Sequence, residues 1–219
     1  NTEIVSQNHW GHNFITAGTV SFGNIANTNQ FFKDGTTQKR LVGAYGEVGI
    51  SYKNIAFITA TGRNDWSSTL PIDSRSYFYP SISGSLVFTE LIPRNNILSF
   101  GKVRASWAEV GKYANPYATL TYVNNPITIG NYTGIGNQYT SGNPYLKPEI
   151  QQSWEIGGEF RFLKGRIGLD YTFYHSQTEN QIAQPRLSNA SGYILTAINS
   201  GSVINEGMEI ALSGKPIVQ

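Results

Sequence analysis

The sequence predicts an all-β fold, an antiparallel stretch of transmembrane β-barrel wall, and three observations carry that prediction. Apolar and polar residues alternate over long segments. Those segments run to about ten residues or more, beyond the ~5–6 common in globular proteins and near the length a tilted strand needs to cross a bilayer. Short and long connections follow one another in turn, as in outer-membrane barrels with short periplasmic turns and long external loops.

Composition agrees. Only 14% of the 219 residues are charged, while glycine, at 23 residues, and aromatics, at 13%, are frequent; soluble domains carry roughly 25% charged residues. The longest apolar runs, such as Ile55-Ala56-Phe57-Ile58, are far shorter than the ~18 residues that would suggest a membrane-spanning helix, so a membrane role falls to strands. A negative mean hydropathy fits as well, because a barrel strand shows lipid only every second residue. The 16 Lys and Arg are scattered among 14 Asp and Glu for a net charge of +2, which argues against nucleic acid as a partner. The absence of Cys removes disulfides, thiol catalysis and Cys-based metal sites. Asn1-Thr2-Glu3 carries no initiating Met, charged n-region or apolar h-region, so the chain reads as either a mature form or an internal fragment, with the fragment favoured.

Taken in order, residues 1–39 are polar, rich in Asn and Thr and weakly periodic. They read as loop with at most one short strand, over 14–22. Residues 40–219 read as barrel strands. Residues 40–52 place Val42, Ala44, Val48 and Ile50 on one face, and 55–63 follow after Lys53-Asn54. Further strands are predicted over 78–91 and over 100–110, where Val103, Ala105 and Trp107 oppose Lys102, Arg104 and Ser106. The clearest pair comes next. Trp154, Ile156, Gly158, Phe160 and Phe162 alternate with Ser153, Glu155, Gly157, Glu159 and Arg161; Ile167, Leu169, Tyr171 and Phe173 alternate with Arg166, Asp170, Thr172 and Tyr174. Only Leu163-Lys164-Gly165 separates them, a hairpin connection. A last strand covers 203–213. The apolar set from Ile156 to Phe173 is expected to face lipid, with Glu155, Glu159, Arg161, Arg166 and Asp170 facing the lumen. The long loops 64–77, 111–150 and 179–202 should all emerge at one end, opposite Lys53-Asn54, 92–96 and 163–165.

Four stretches bear a family likeness: Ala60-Thr61-Gly62-Arg63-Asn64-Asp65-Trp66-Ser67-Ser68 followed by Tyr79-Pro80-Ser81-Ile82-Ser83; Lys102-Val103-Arg104-Ala105-Ser106-Trp107-Ala108-Glu109-Val110-Gly111; Asn143-Pro144-Tyr145-Leu146-Lys147-Pro148-Glu149; and Asn199-Ser200-Gly201-Ser202-Val203-Ile204-Asn205-Glu206-Gly207-Met208-Glu209. In this order and spacing the chain resembles the C-terminal half of SusC/RagA-like, TonB-dependent outer-membrane transporters of the Bacteroidetes type. Trp66 stands where that family usually has Gly. The resemblance implies a large, 22-stranded, plugged barrel in the cell outer membrane, of which these strands are a part. It implies import of a nutrient such as an oligosaccharide or peptide, a SusD-like surface lipoprotein as partner, TonB acting through an N-terminal part with no match here, and no enzymatic activity or cofactor.

Candidate sites follow from residue chemistry. Arg63, Asp65, Trp66, Tyr77 and Tyr79 read as a charge-and-aromatic girdle where the barrel leaves the membrane, in preference to a direct ligand role. Loop 111–150 holds six tyrosines among Asn, Thr and Gly, and Tyr117, Tyr122 and Tyr132 are the candidate ligand contacts; the alternative is that they pack the loop on itself. No catalytic set emerges. Glu155 and Glu159 share a strand face, but their separation, roughly 13–14 Å at the strand rise, exceeds either glycosidase geometry. His9-Trp10-Gly11-His12 offers two imidazoles with no third ligand nearby, a poor metal site. The rival reading is a soluble or surface-attached β-rich lectin.

Overall fold

The computed structural model describes residues 2–11, 15, 17, 21, 24–26, 30–93, 97–124 and 126–215. The chain divides into two units, Asn1–Arg40 and Leu41–Gln219.

In the first unit the expectation of loop is overturned. Strands β1 (Thr2–Gly11) and β2 (Gln30–Lys39) pair antiparallel from Thr2↔Lys39 to Gly11↔Gln30. The stretch 14–22 lies largely outside the described residues. Neither strand alternates: apolar residues stand side by side as Ile4-Val5 and Phe31-Phe32. A two-residue hydrophobic period is therefore missing, yet ladder hydrogen bonds form whatever the side chains are.

The second unit opens with β3 (Leu41–Tyr52), β4 (Ala56–Ser67), β5 (Ser76–Leu86) and β6 (Leu98–Lys112). Short loop strands β7 (Ile127–Ile129), β8 (Tyr132–Gly134) and β9 (Thr140–Ser141) precede β10 (Glu149–Phe162) and β11 (Ile167–Glu179). Three more, β12 (Ile182–Ala183), β13 (Leu195–Thr196) and β14 (Ile198–Asn199), precede β15 (Ser202–Gly214). The seven long strands form one open antiparallel sheet in sequence order, β3-β4-β5-β6-β10-β11-β15. It is an up-and-down meander with no crossover. Connections 68–75, 113–148 and 180–201 consequently leave one end, and 53–55, 87–97 and 163–166 the other.

Two lengths differ from expectation. The loop expected at 64–77 shrinks to 68–75, because Asn64, Asp65 and Trp66 stay in the ladder, paired with Ala44, Gly43 and Val42. The connection expected at 92–96 grows to 87–97 and begins with a 3-10 turn at Phe88–Glu90, which is tied down where Thr89 Oγ1 accepts from the Gly101 amide at 3.1 Å. The tight turns obey backbone rules. Lys53 and Asn54 both have positive φ (48° and 56°), and the Ile55 amide bonds the Tyr52 carbonyl, the two-residue turn whose twist suits a hairpin.

Register fixes the faces. Ile50↔Ile58, Ala60↔Ile82, Ile82↔Trp107, Trp107↔Trp154, Ile156↔Phe173 and Phe173↔Met208 run across the whole sheet on one face. Ile50, Ile58, Ile82, Ile156, Met208 and Ile210 are all well exposed there. An apolar surface spanning seven strands far exceeds the patches soluble monomers tolerate. The opposite face carries Glu47, Thr59, Thr61, Arg63, Arg104, Glu155, Glu159 and Asp170. Such a wall turns its apolar face to lipid and its polar face to a lumen, with the expected apolar set and Glu155, Glu159, Arg161 and Asp170 on opposite sides of β10 and β11, while Arg166, expected on the lumen face, lies in the turn before β11.

The buried core sits in neither face. Leu146, which is 0% exposed, gathers Leu70, Ala114 and Ala197, with Tyr113, Ala118 and Ile182 against them. Loops 68–75, 113–148 and 180–201 thus share one small core above the ends of the strands.

Candidate functional site

On the polar face, Arg104 of β6 reaches across β10 to β11. Its Nη1 and Nη2 donate to both oxygens of Asp170 at 3.1 and 2.7 Å, and Nη2 also to Thr172 Oγ1 at 2.6 Å. The strand between them carries Gly157 opposite Arg104. A Cβ there would stand 2.9 Å from Arg104 Nε and 2.9 Å from the Tyr171 carbonyl oxygen. Glycine is what lets the guanidinium lie flat across the strand.

Towards the loops, β5 and β6 are paired only over Ser81–Leu86 and Val103–Ala108. Above that point aromatic side chains join them. The Tyr79 ring lies against Gly111, where a Cβ would come within 2.5 Å of a ring carbon, and Tyr77 donates to Glu109 Oε1 at 3.1 Å. Arg63 Nε donates to Asp65 Oδ1 at 2.8 Å, and Tyr113 donates to Asp65 Oδ2 at 2.9 Å. Since the Tyr113 proton is committed to Asp65, the Tyr79 hydroxyl donates to the Tyr113 oxygen. Burial, reinforced by the hydrogen bonds with Tyr79 and Asp65, pushes the Tyr113 phenol well above its ordinary range and keeps it a donor.

Above this network the loops are sewn together. Asn199 Oδ1 accepts from the Lys147 amide at 2.8 Å while Nδ2 donates to the Lys147 carbonyl at 2.8 Å and to the Asn180 carbonyl at 2.9 Å. Asn143 Nδ2 donates to the Ala197 carbonyl at 2.9 Å. Glu149, nearly buried, accepts from the Ile182 amide at 3.0 Å and pairs with Lys112 at 3.3 Å. In parallel, β9 pairs with β13. The third and fourth sequence motifs are therefore two halves of one clasp, and the first and second meet where Tyr79 covers Gly111.

The five girdle residues are separated by strand parity. Arg63, Asp65, Tyr77 and Tyr79 stand on the polar side of β4 and β5, whereas Trp66 pairs with Val42 and Ser76 on the apolar side, 41% exposed. Of the loop tyrosines, Tyr117 and Tyr122 pack edge to face with centroids 6.2 Å apart, while Tyr132 stands on the β7–β8 hairpin, 83% exposed. Sequence reading passed over Tyr45, Arg104 with Gly157, and Tyr113 as a hydrogen-bonding hub. Only register reveals them. Of the two histidines considered for a metal, His9 lies in β1 and His12 lies outside the described residues; no group of three metal-ligating side chains occurs among the described residues.

Comparison with known proteins adds a separate line. A family model described as TonB dependent receptor-like, beta-barrel, matches residues 2–215. The TonB-dependent receptor P26 of Formosa agariphila is 28% identical over 97% of this chain and 22% of its own length. The TonB-dependent receptor SusC of Bacteroides thetaiotaomicron is 30% identical over 83% of this chain and 19% of its own length. This chain therefore spans about a fifth of the curated relatives it matches. Among solved structures, the RagAB peptide transporter superposes with a TM-score of 0.79 at 23% identity, covering 93% of this chain and 22% of that one. The siderophore receptor PirA from Acinetobacter baumannii gives 0.56 at 18% identity, covering 96% of this chain and 31% of that one. Both structural likenesses concern the fold.

Proposed function

The chain belongs to the TonB-dependent receptor-like β-barrel family, an outer-membrane family, and from that premise we propose that it supplies wall and external loops to a SusC/RagA-type importer. In this reading the complete protein takes up an oligosaccharide or peptide at its loop end beneath a SusD-like lipoprotein. TonB drives passage by acting on an N-terminal plug outside these 219 residues. The observation that supports it best is the two-faced meander: one face apolar across seven strands, the other polar and charged, with the two longest connections, 113–148 and 180–201, at one end. The lectin reading leaves that apolar face uncovered in water, which is its weakness. Tyr117, Tyr122 and Tyr132 are the loop side chains through which ligand or lipoprotein would be met.

The test is fractionation and pull-down of the complete protein. It should require detergent, migrate on gels according to whether it is heated, and bring down a surface lipoprotein together with a small bound ligand identifiable by mass spectrometry. Solubility without detergent sinks the reading.

A further inference from the structure

We propose that Tyr45, Glu47 and Arg63 form a saccharide-binding subsite on the lumen wall just below the loops; this rests on the importer reading and narrows its substrate to a glycan. Tyr45 and Arg63 are direct cross-strand partners, and Glu47 stands on the same face one step further down β3, opposite Thr61. Two residues along a strand span about 7 Å, so the three side chains cover the footprint of one or two sugar rings.

Each carries an unused group. Within the described residues Tyr45 is 82% exposed on the polar face, and neither its hydroxyl nor Glu47 has a hydrogen-bond partner among them. Arg63 is held by its inner edge alone: Nε donates to Asp65, whose carboxylate is 7% exposed and is also bonded by Tyr113. Both Nη nitrogens are without a partner among the described residues, and the Arg63 side chain is 49% exposed. Opposite Asp65 stands Gly43, where a Cβ would lie 2.9 Å from Arg63 Nη2, so the fork rests over bare backbone two residues along β3 from Tyr45.

A ring face, a preorganised two-donor fork and a carboxylate acceptor match a pyranose, which offers an apolar ring face and neighbouring hydroxyls that both accept and donate. Charge favours a neutral ligand over an anion. Arg63 is balanced by Asp65, and Glu47 leaves the patch net negative. A peptide captured by strand addition binds through main-chain hydrogen bonds at a sheet edge, whereas the groups gathered here are side chains on a sheet face.

The experiment uses the complete transporter with its lipoprotein, titrated by calorimetry with neutral hexasaccharides (maltohexaose, xylohexaose, laminarihexaose) and with a hexapeptide. Wild type should bind at least one saccharide. Tyr45→Ala should weaken that binding roughly five- to tenfold, Tyr45→Phe should largely keep it, and Glu47→Gln should weaken it several-fold. Arg63→Lys, which retains the charge beside Asp65 but lacks the fork, should also weaken it with unchanged heat-modifiable migration. Saccharide affinity unchanged in Tyr45→Ala overturns the subsite and leaves the importer reading standing. So does a wild type that binds only the peptide. A wild type that binds neither ligand class takes both readings down.

Discussion

Replacing Gly157 by Ala tests whether the wall is braced from its lumen side. The new methyl would sit 2.9 Å from Arg104 Nε, 2.9 Å from the Tyr171 carbonyl oxygen and 3.1 Å from Thr172 Oγ1. The arginine can lift away, but a backbone carbonyl in the β10–β11 ladder cannot move without straining its neighbours. Two costs follow. The Arg104–Asp170 pair is about 40% exposed on each side, so its loss is worth about 1 kcal/mol, at the upper end for an exposed pair because the geometry is bidentate. The backbone adjustment adds about 1–3 kcal/mol, as overpacking does elsewhere. The complete protein should therefore lose its heat-resistant, fast-migrating form on gels at a lower temperature than wild type. Asp170→Asn alone should reproduce only the smaller part, and Gly157→Ala in that background should add the backbone part without the ionic one. A Gly157→Ala protein indistinguishable from wild type would refute the claim that glycine is required beneath the guanidinium.

Other outcomes are as definite. Leu146→Ala, at the centre of the loop core, should cost about 2–5 kcal/mol locally and appear as faster protease nicking within 113–148 and 180–201 while the strands stay protected; equal cleavage rates would mean that the loops do not share a core. Ile156→Arg on the apolar face should cost about 2–4 kcal/mol and lower the folded yield, whereas Glu155→Gln next to it should change stability by about 0.5 kcal/mol or less; the reverse order would invert the faces. Leu163 holds φ 53° in the β10–β11 turn, so Leu163→Asn, better suited to that conformation, should raise thermal resistance slightly, by up to about 1 kcal/mol. Replacing Tyr117, Tyr122 and Tyr132 together by Ala should weaken ligand binding by calorimetry without changing the amount of folded barrel; lost folding would show instead that they brace the loops.

What could be read from sequence follows the solvent each segment meets. Strands β3 to β6, β10, β11 and β15 lie between lipid and lumen, so their side chains alternate and their faces were legible down to Ile156 and Glu155. The hairpin of β1 and β2 shows no such alternation. Asn64 and Asp65 looked like loop because they are polar, yet their partners Ala44 and Gly43 hold them in the ladder. The loop core was illegible for another reason: Leu70, Ala114, Leu146 and Ala197 are isolated in four different polar surroundings, and no period joins residues that meet only after three loops fold together. Likewise, the girdle grouped Trp66 with Asp65 by adjacency, and adjacent strand residues point to opposite faces.

The side chains most completely withdrawn from solvent in this wall are those around Leu146, beyond the strand ends, whereas the strands turn their apolar residues to hydrocarbon. The two regions therefore answer to different liquids. Cooling weakens the attraction among Leu70, Ala114, Leu146 and Ala197, because that attraction comes from water. It does nothing comparable to Ile156 or Met208, whose neighbours are as apolar as themselves, while the ladder beneath stays paired. The loop cluster should be firmest near ~10–20 °C, as water-driven cores are, and should slacken on either side of that range. The mouth would then loosen with cold as well as with heat, above a wall that responds to neither in the same way.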